Sequence, residues 1–129
     1  MFYADSSVVE IVAQLMIAYL FLETGVDNIP RRPFLAKMMA ENGVPYAPFV
    51  LNAGFVVQFV GGVMLAIDWH AEIGAAILIV FVLVAEWIFH RWWRIADPMR
   101  RMYHKWYFHN NLAVMGGLLL IAQPAFATA

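Results

Sequence analysis

The strongest constraint on this chain is where its basic residues fall: all eight lie in two clusters, and long apolar runs flank both. Arg31, Arg32 and Lys37 form the first cluster, and Arg91, Arg94, Arg100, Arg101 and Lys105 form the second. Around them, segments at approximately 8–26, 48–67, 72–90 and 108–124 are mostly apolar. The hydrocarbon core of a bilayer is about 30 Å thick, and a helix crosses it with about 20 such residues. The apolar residues come in continuous runs rather than alternating, which favours helices over strands. The expected fold class is an all-α membrane protein: a four-transmembrane-helix bundle with two short amphipathic interfacial helices on the cytoplasmic side.

Composition agrees, with 64% of residues hydrophobic and 13% charged; soluble domains are nearer half apolar and a quarter charged. One domain over residues 1–129 is the natural organisation. The absence of cysteine excludes disulfides, CxxC redox pairs, thiolate metal sites and covalent c-type haem. "MFYADSSVVE" carries two acids and no basic n-region, so the first apolar run is expected to persist as a helix. In a four-span protein both basic clusters share one side, and the positive-inside rule makes that side cytoplasmic. The expected location is a bacterial-type inner (cytoplasmic) membrane, with both termini and the acidic "DWHAE" turn outside. Nothing in this charge pattern suits a nucleic-acid partner.

The connections have structure of their own. Ser7 and Glu10 have capping-box spacing at the start of the first span. "RPFLAKMMAENG" predicts a helix with Pro33 at its start, a stripe of Phe34, Leu35 and Met38, and a stop at Asn42-Gly43. "DPMRRMYHKWY" predicts another, with Asp97 as N-cap, Pro98 at N1, and Met99, Met102, Tyr103 and Trp106 on one face. Both are expected in the headgroup region, apolar side down. A two-fold internal repeat follows weakly: a span, a basic interfacial helix, then a span carrying Gly-Gly.

"YLFLETGVDNI" (19–29), "NGVP" (42–45), "VVQFVGGVML" (56–65), "FHRWW" (89–93) and "HNNLAVMGGLLL" (109–120) follow one another in an order that resembles the DoxX family. The resemblance covers nearly the whole chain. It implies a small four-helix membrane bundle, and a role as a subunit of a membrane oxidoreductase assembly, such as thiosulfate:quinone oxidoreductase, or as a maturation factor. Asn28 stands where the family pattern usually has a basic residue, and Gln58 where it usually has an acid. If those charges pair in relatives, replacing both with amides keeps hydrogen bonding without the cost of burying charge.

Polar residues gather at the inner end of the spans. Glu23 and Asp27 share a face of span one, Glu86 and His90 share a face of span three, and His109, Asn110 and Asn111 open span four. Glycines at 25, 61–62 and 116–117 allow close helix approach. Three readings of the cluster are open. A metal would take Glu23, Glu86, His90 and His109, although the Glu-x-x-His spacing of bundle-core metal sites is absent. A quinone would use His90, Trp93, His109 and Asn111, with Glu86 shuttling protons; Glu86, His90 and His109 are then the catalytic candidates. The leading reading is a structural ion-pair network, with Arg91 and Arg94 neutralising Glu86, and Arg31 or Arg32 pairing with Glu23 or Asp27. In it, the tryptophans and tyrosines form an interfacial belt.

Three smaller features take plain readings. The methionines serve packing and lipid contact. His70, beside Asp68 and Glu72, belongs to a solvated turn rather than a metal site. Asn52 and Gln58 hydrogen-bond to neighbouring helices. The expected function is a non-catalytic accessory or anchoring subunit of a membrane redox or energy-converting complex, with no activity and no cofactor of its own. Its partners are the lipid bilayer and other membrane-protein subunits. The alternative is a small membrane oxidoreductase or quinone-binding subunit using the Glu/His cluster.

Overall fold

The computed structural model describes residues 1–127. Its regular structure is helical, with no strand among the described residues. α1 (Val8–Asn28) turns through a short 3₁₀ segment into α2 (Arg32–Glu41). α3 (Ala47–Ala66) and α4 (Ala71–Phe89) follow, and a second 3₁₀ turn at Trp92–Arg94 leads into α5 (Pro98–Phe126). Three helical stretches, Val8–Glu41, Ala47–Ala66 and Ala71–Arg94, are long and apolar enough to cross a membrane.

Local chemistry sets most of these boundaries. The Ser7 side chain accepts from the Glu10 N–H and the Glu10 carboxylate accepts from the Ser7 N–H, so the capping box is complete. Asp97 caps α5 by accepting from the Met99 N–H. α2 stops where Gly43 takes φ +86°, a left-handed turn that lets Gly43 and Val44 return their N–H groups to Ala40 and Met39.

One boundary departs from expectation. The stretch after Pro98 is not a separate interfacial helix: α5 runs unbroken for 29 residues. Between Met99 and Met115 there is neither glycine nor proline, so no residue there ends the helix or satisfies its carbonyls in another way. The two halves of the suggested repeat therefore differ, because α2 follows α1 through a 3₁₀ turn and ends before α3, whereas the basic stretch of α5 runs on into its apolar half.

The helices pack in chain order, α1 on α3, α3 on α4 and α4 on α5, with a thinner seam between α1 and α5. Ala18, Phe21, Leu65, Ala75, Leu78, Val82, Leu118 and Ala122 form a core to which all four contribute. Small residues bring the backbones together. A Cβ on Gly61 would lie 2.6 Å from Leu78 Cγ, and one on Gly25 would lie 2.9 Å from the Phe59 ring. Gly117 is similarly close to Ile17, but Gly116 has nothing within 4 Å and makes no such approach.

Amides inside the bundle behave unequally. Gln58 is buried and donates to the Phe21 carbonyl at 2.8 Å and to the Thr24 hydroxyl at 3.1 Å. Asn52 is exposed and has no side-chain hydrogen bond among the described residues, so the expected interhelical role falls to Gln58 alone. Asn28 accepts from Arg31 at 3.2 Å. Its amide and that of Gln58 are not bonded to each other.

At the end opposite the basic clusters, the N-terminal segment ties down the α3–α4 turn. The Tyr3 hydroxyl donates to the Leu65 carbonyl at 2.8 Å, and its backbone N–H donates to Asp68 Oδ2 at 2.8 Å. Gln14 donates to Leu65 O and to Asp68 Oδ1. Burial, and secondarily the Asp68 carboxylate, push the Tyr3 hydroxyl's pKa above its ordinary value, which suits its role as donor. The turn is thus a latch rather than a freely solvated loop, with His70 and Glu72, 3.9 Å apart, partly exposed at its edge.

Candidate functional site

Glu86 lies one turn from the end of α4 and is 5% exposed. Its Oε1 accepts from the Asn111 side-chain amide of α5, while Oε2 is buried with no hydrogen-bond partner. No lysine or arginine pairs with it: among the described residues the one ion pair is His70–Glu72. The expected ion-pair network is therefore overturned. Arg91 turns away to lie over the Trp87 ring, 4.9 Å from its centroid. Arg31 donates to Asn28 and lies over Phe34, and Arg32 donates to the Ile29 carbonyl. The physical reason is depth: a guanidinium that follows Glu86 into the core loses its hydration, whereas one at the helix end keeps it and gains an aromatic face.

His90 caps the end of α4 and has a partner that the sequence did not suggest. Its Nδ1 lies 2.9 Å from Nδ1 of His104 on α5, and the Tyr107 ring stacks on it at 5.4 Å and 29°. Since two N–H groups cannot point at each other, one imidazole donates and the other accepts. Burial, and secondarily the Arg100 charge, hold His104 below the ordinary histidine pKa. Asn42, at the end of α2, donates to the Ile88 carbonyl at 2.9 Å and fastens α2 to the same end of α4.

The remaining sequence candidates lie apart from Glu86. His109 is exposed and its Nδ1 is 2.7 Å from the Lys105 carbonyl of its own helix turn. Glu23 and Asp27 are exposed on α1. Trp93 is half exposed and meets Trp92 and Phe108 edge to face. No three His, Asp or Glu side chains group as metal ligands among the described residues, so Glu23, Glu86, His90 and His109 do not converge. Trp92 is better enclosed, with Lys105 over its ring at 4.9 Å and its indole N–H buried without an acceptor.

The structure thus brings together Glu86 with Asn111, and His90 with His104 and Tyr107. Asn111 was read as part of the cluster from its depth. Nothing in the sequence points to His104 and Tyr107: a helix with Met99, Met102, Tyr103 and Trp106 on one face leaves His104 on the other with the basic residues, and Tyr107 falls into the interfacial aromatic belt.

The DoxX family model matches residues 11–91. The chain belongs to the DoxX family. The match spans α1 through α4 and ends at Arg91, so it contains Glu86 and His90, whereas Asn111 and His104 of this DoxX chain lie beyond it. Comparison with curated proteins and with solved structures found no match. As a DoxX protein with three membrane-length apolar helices, it is a multi-pass membrane protein in contact with lipid.

Proposed function

We propose that this DoxX protein is a four-span, non-catalytic accessory or anchoring subunit of a membrane redox or energy-converting complex. The fourth span is the second half of α5. Leu118 and Ala122 there are fully buried in the common core, as expected of a helix lying alongside the other three. α2 and the first half of α5 lie at the membrane boundary; Phe34, Met99, Met102, Tyr103 and Trp106 are exposed there, available to headgroups. The basic clusters make that boundary the cytoplasmic one, which puts both termini outside an inner membrane.

One observation carries the accessory reading. Among the described residues no three His, Asp or Glu side chains gather into one cluster, while the outer faces of α3 and α4 carry Phe49, Val56, Val80, Leu83 and Trp87 exposed. Such faces serve lipid and neighbouring transmembrane helices, where association rests on packing. Extraction in a mild detergent, followed by mass determination and analysis of bound small molecules, tests it. The expected result is an assembly larger than the single chain, without stoichiometric quinone.

A second reading rests on a specific feature: the unpartnered Oε2 of Glu86 and the His90–Tyr107 stack lie at the same end of α4. A quinone-binding subunit would use the carboxyl for proton transfer and the imidazole as a donor to a quinone oxygen. Bound quinone that disappears in Glu86→Gln or His90→Ala would replace the first reading with this one.

A further inference from the structure

We propose that the cavity between α2, the end of α4 and the start of α5 binds a phosphate-bearing anion, with Arg91, Arg94 and Arg100 as its ligands. The cavity has a volume of about 440 Å³, and these three guanidiniums line it together with Glu41 and His104. None of the three is within ion-pair distance of a carboxylate, since the one ion pair among the described residues is His70–Glu72. His104 has its Nδ1 engaged by His90. Three cations against one carboxylate leave the lining at a net charge of about +2, counting His104 as neutral.

Three like charges around one space repel each other, and an anion placed between them removes that repulsion. Arginine is the residue suited to this, because its planar fork gives two parallel N–H donors to a phosphate. Arg91 is held in place by its stacking on Trp87, and its N–H groups have no acceptor among the described residues. Apart from Asn42, whose amide donates to the Ile88 carbonyl, the other lining is apolar, with Ile88 and Phe89 continuing from the apolar run of α4. A site with guanidiniums on one side and the end of a membrane-length helix on the other fits a phosphate at headgroup depth, since basic pockets between transmembrane helices take anionic lipid headgroups. A free phosphate satisfies the same ligands.

The test is thermal unfolding of the full chain in zwitterionic detergent micelles, titrated separately with phosphatidylglycerol, phosphatidylcholine and inorganic phosphate. Phosphatidylglycerol is expected to raise the melting temperature saturably, and phosphatidylcholine is expected not to. The Arg94→Ala/Arg100→Ala variant is expected to lose roughly tenfold or more in apparent affinity for each guanidinium removed. Arg31→Ala/Arg32→Ala removes the same charge outside the cavity and is expected to keep the response. Arg94 and Arg100 are both exposed, so helicity by circular dichroism is expected to be unchanged, and Arg94→Lys/Arg100→Lys provides a variant that keeps the charge. Saturation by inorganic phosphate alone supports the site with a soluble ligand, and response to the lipid alone supports it with a headgroup. Equal shifts with both lipids, an unchanged response in Arg94→Ala/Arg100→Ala, or an equal loss in Arg31→Ala/Arg32→Ala would overturn the proposal.

Discussion

His90 and His104 meet nitrogen to nitrogen, with Nδ1 of one 2.9 Å from Nδ1 of the other. The pair joins the end of α4 to the first half of α5, and it holds only while at least one ring is neutral. Because His104 has its pKa lowered in the folded chain, by burial first and by Arg100 second, the unfolded chain binds more protons below the ordinary histidine pKa of about 6.5. Stability from this group is therefore present above that pH and lost as pH falls through it. The melting temperature in detergent is expected to drop between pH 7.5 and pH 5.5. In His104→Gln, that drop should be smaller; a wild-type slope in this variant would remove the pair as its cause.

Asn111 is the only hydrogen-bond partner of the buried Glu86 carboxyl among the described residues. Asn111→Ala leaves both carboxyl oxygens without a partner and is expected to cost about 1–3 kcal/mol. Glu86→Gln keeps an acceptor for Asn111 and is expected to cost less. In a double-mutant cycle, Glu86→Ala and Asn111→Ala together should cost less than their sum, the signature of direct coupling. Reversible unfolding in mixed micelles measures all four corners.

Gly61 and Gly116 separate close packing from helix propensity. Leu78 is fully buried and would meet a Cβ at Gly61 at 2.6 Å through its branch point rather than a free end. Gly61→Ala is expected to destabilise by about 1–3 kcal/mol. Gly116 has nothing within 4 Å, so Gly116→Ala is expected to be neutral, or stabilising by up to about 1 kcal/mol. Equal effects at the two positions would remove the packing argument.

The Tyr3 hydroxyl reaches the Leu65 carbonyl across 62 residues of sequence. Tyr3→Phe keeps the ring and removes the donor, at an expected cost of about 1 kcal/mol. The more sensitive readout is local. Amide hydrogen exchange in residues 1–7 should accelerate, with that of α3 and α4 little changed.

Much of the site was within reach of the sequence, and the rest was withheld for one reason. The depth of Glu86, His90 and Asn111 followed from counting along apolar runs, since a helix advances by a fixed rise per residue. Depth does not give rotation about the helix axis. That is why His109, two residues before Asn111, turned out to be exposed, and why the arginines near Glu86 in sequence were assigned to it. The unbroken α5 was legible in principle, because no helix-ending residue lies between Pro98 and Gly116. The basic first half and apolar second half suggested two helices where the backbone makes one.

By itself, the sequence determined that the chain is helical and that it carries membrane-length apolar segments, three of which the structure shows as helices long and apolar enough to cross a membrane. It also determined where Ser7, Asp97 and Gly43 start and stop helices. These follow from local composition and short-range hydrogen bonding. The tertiary structure alone decided that Glu86 is held by an amide rather than a guanidinium, that His90 is paired with His104, and that Arg91, Arg94 and Arg100 surround one cavity without a carboxylate partner of their own. Those outcomes depend on the register and rotation of neighbouring helices. Contacts such as Leu78 seated on Gly61 set that register, and they are made between residues far apart in the chain.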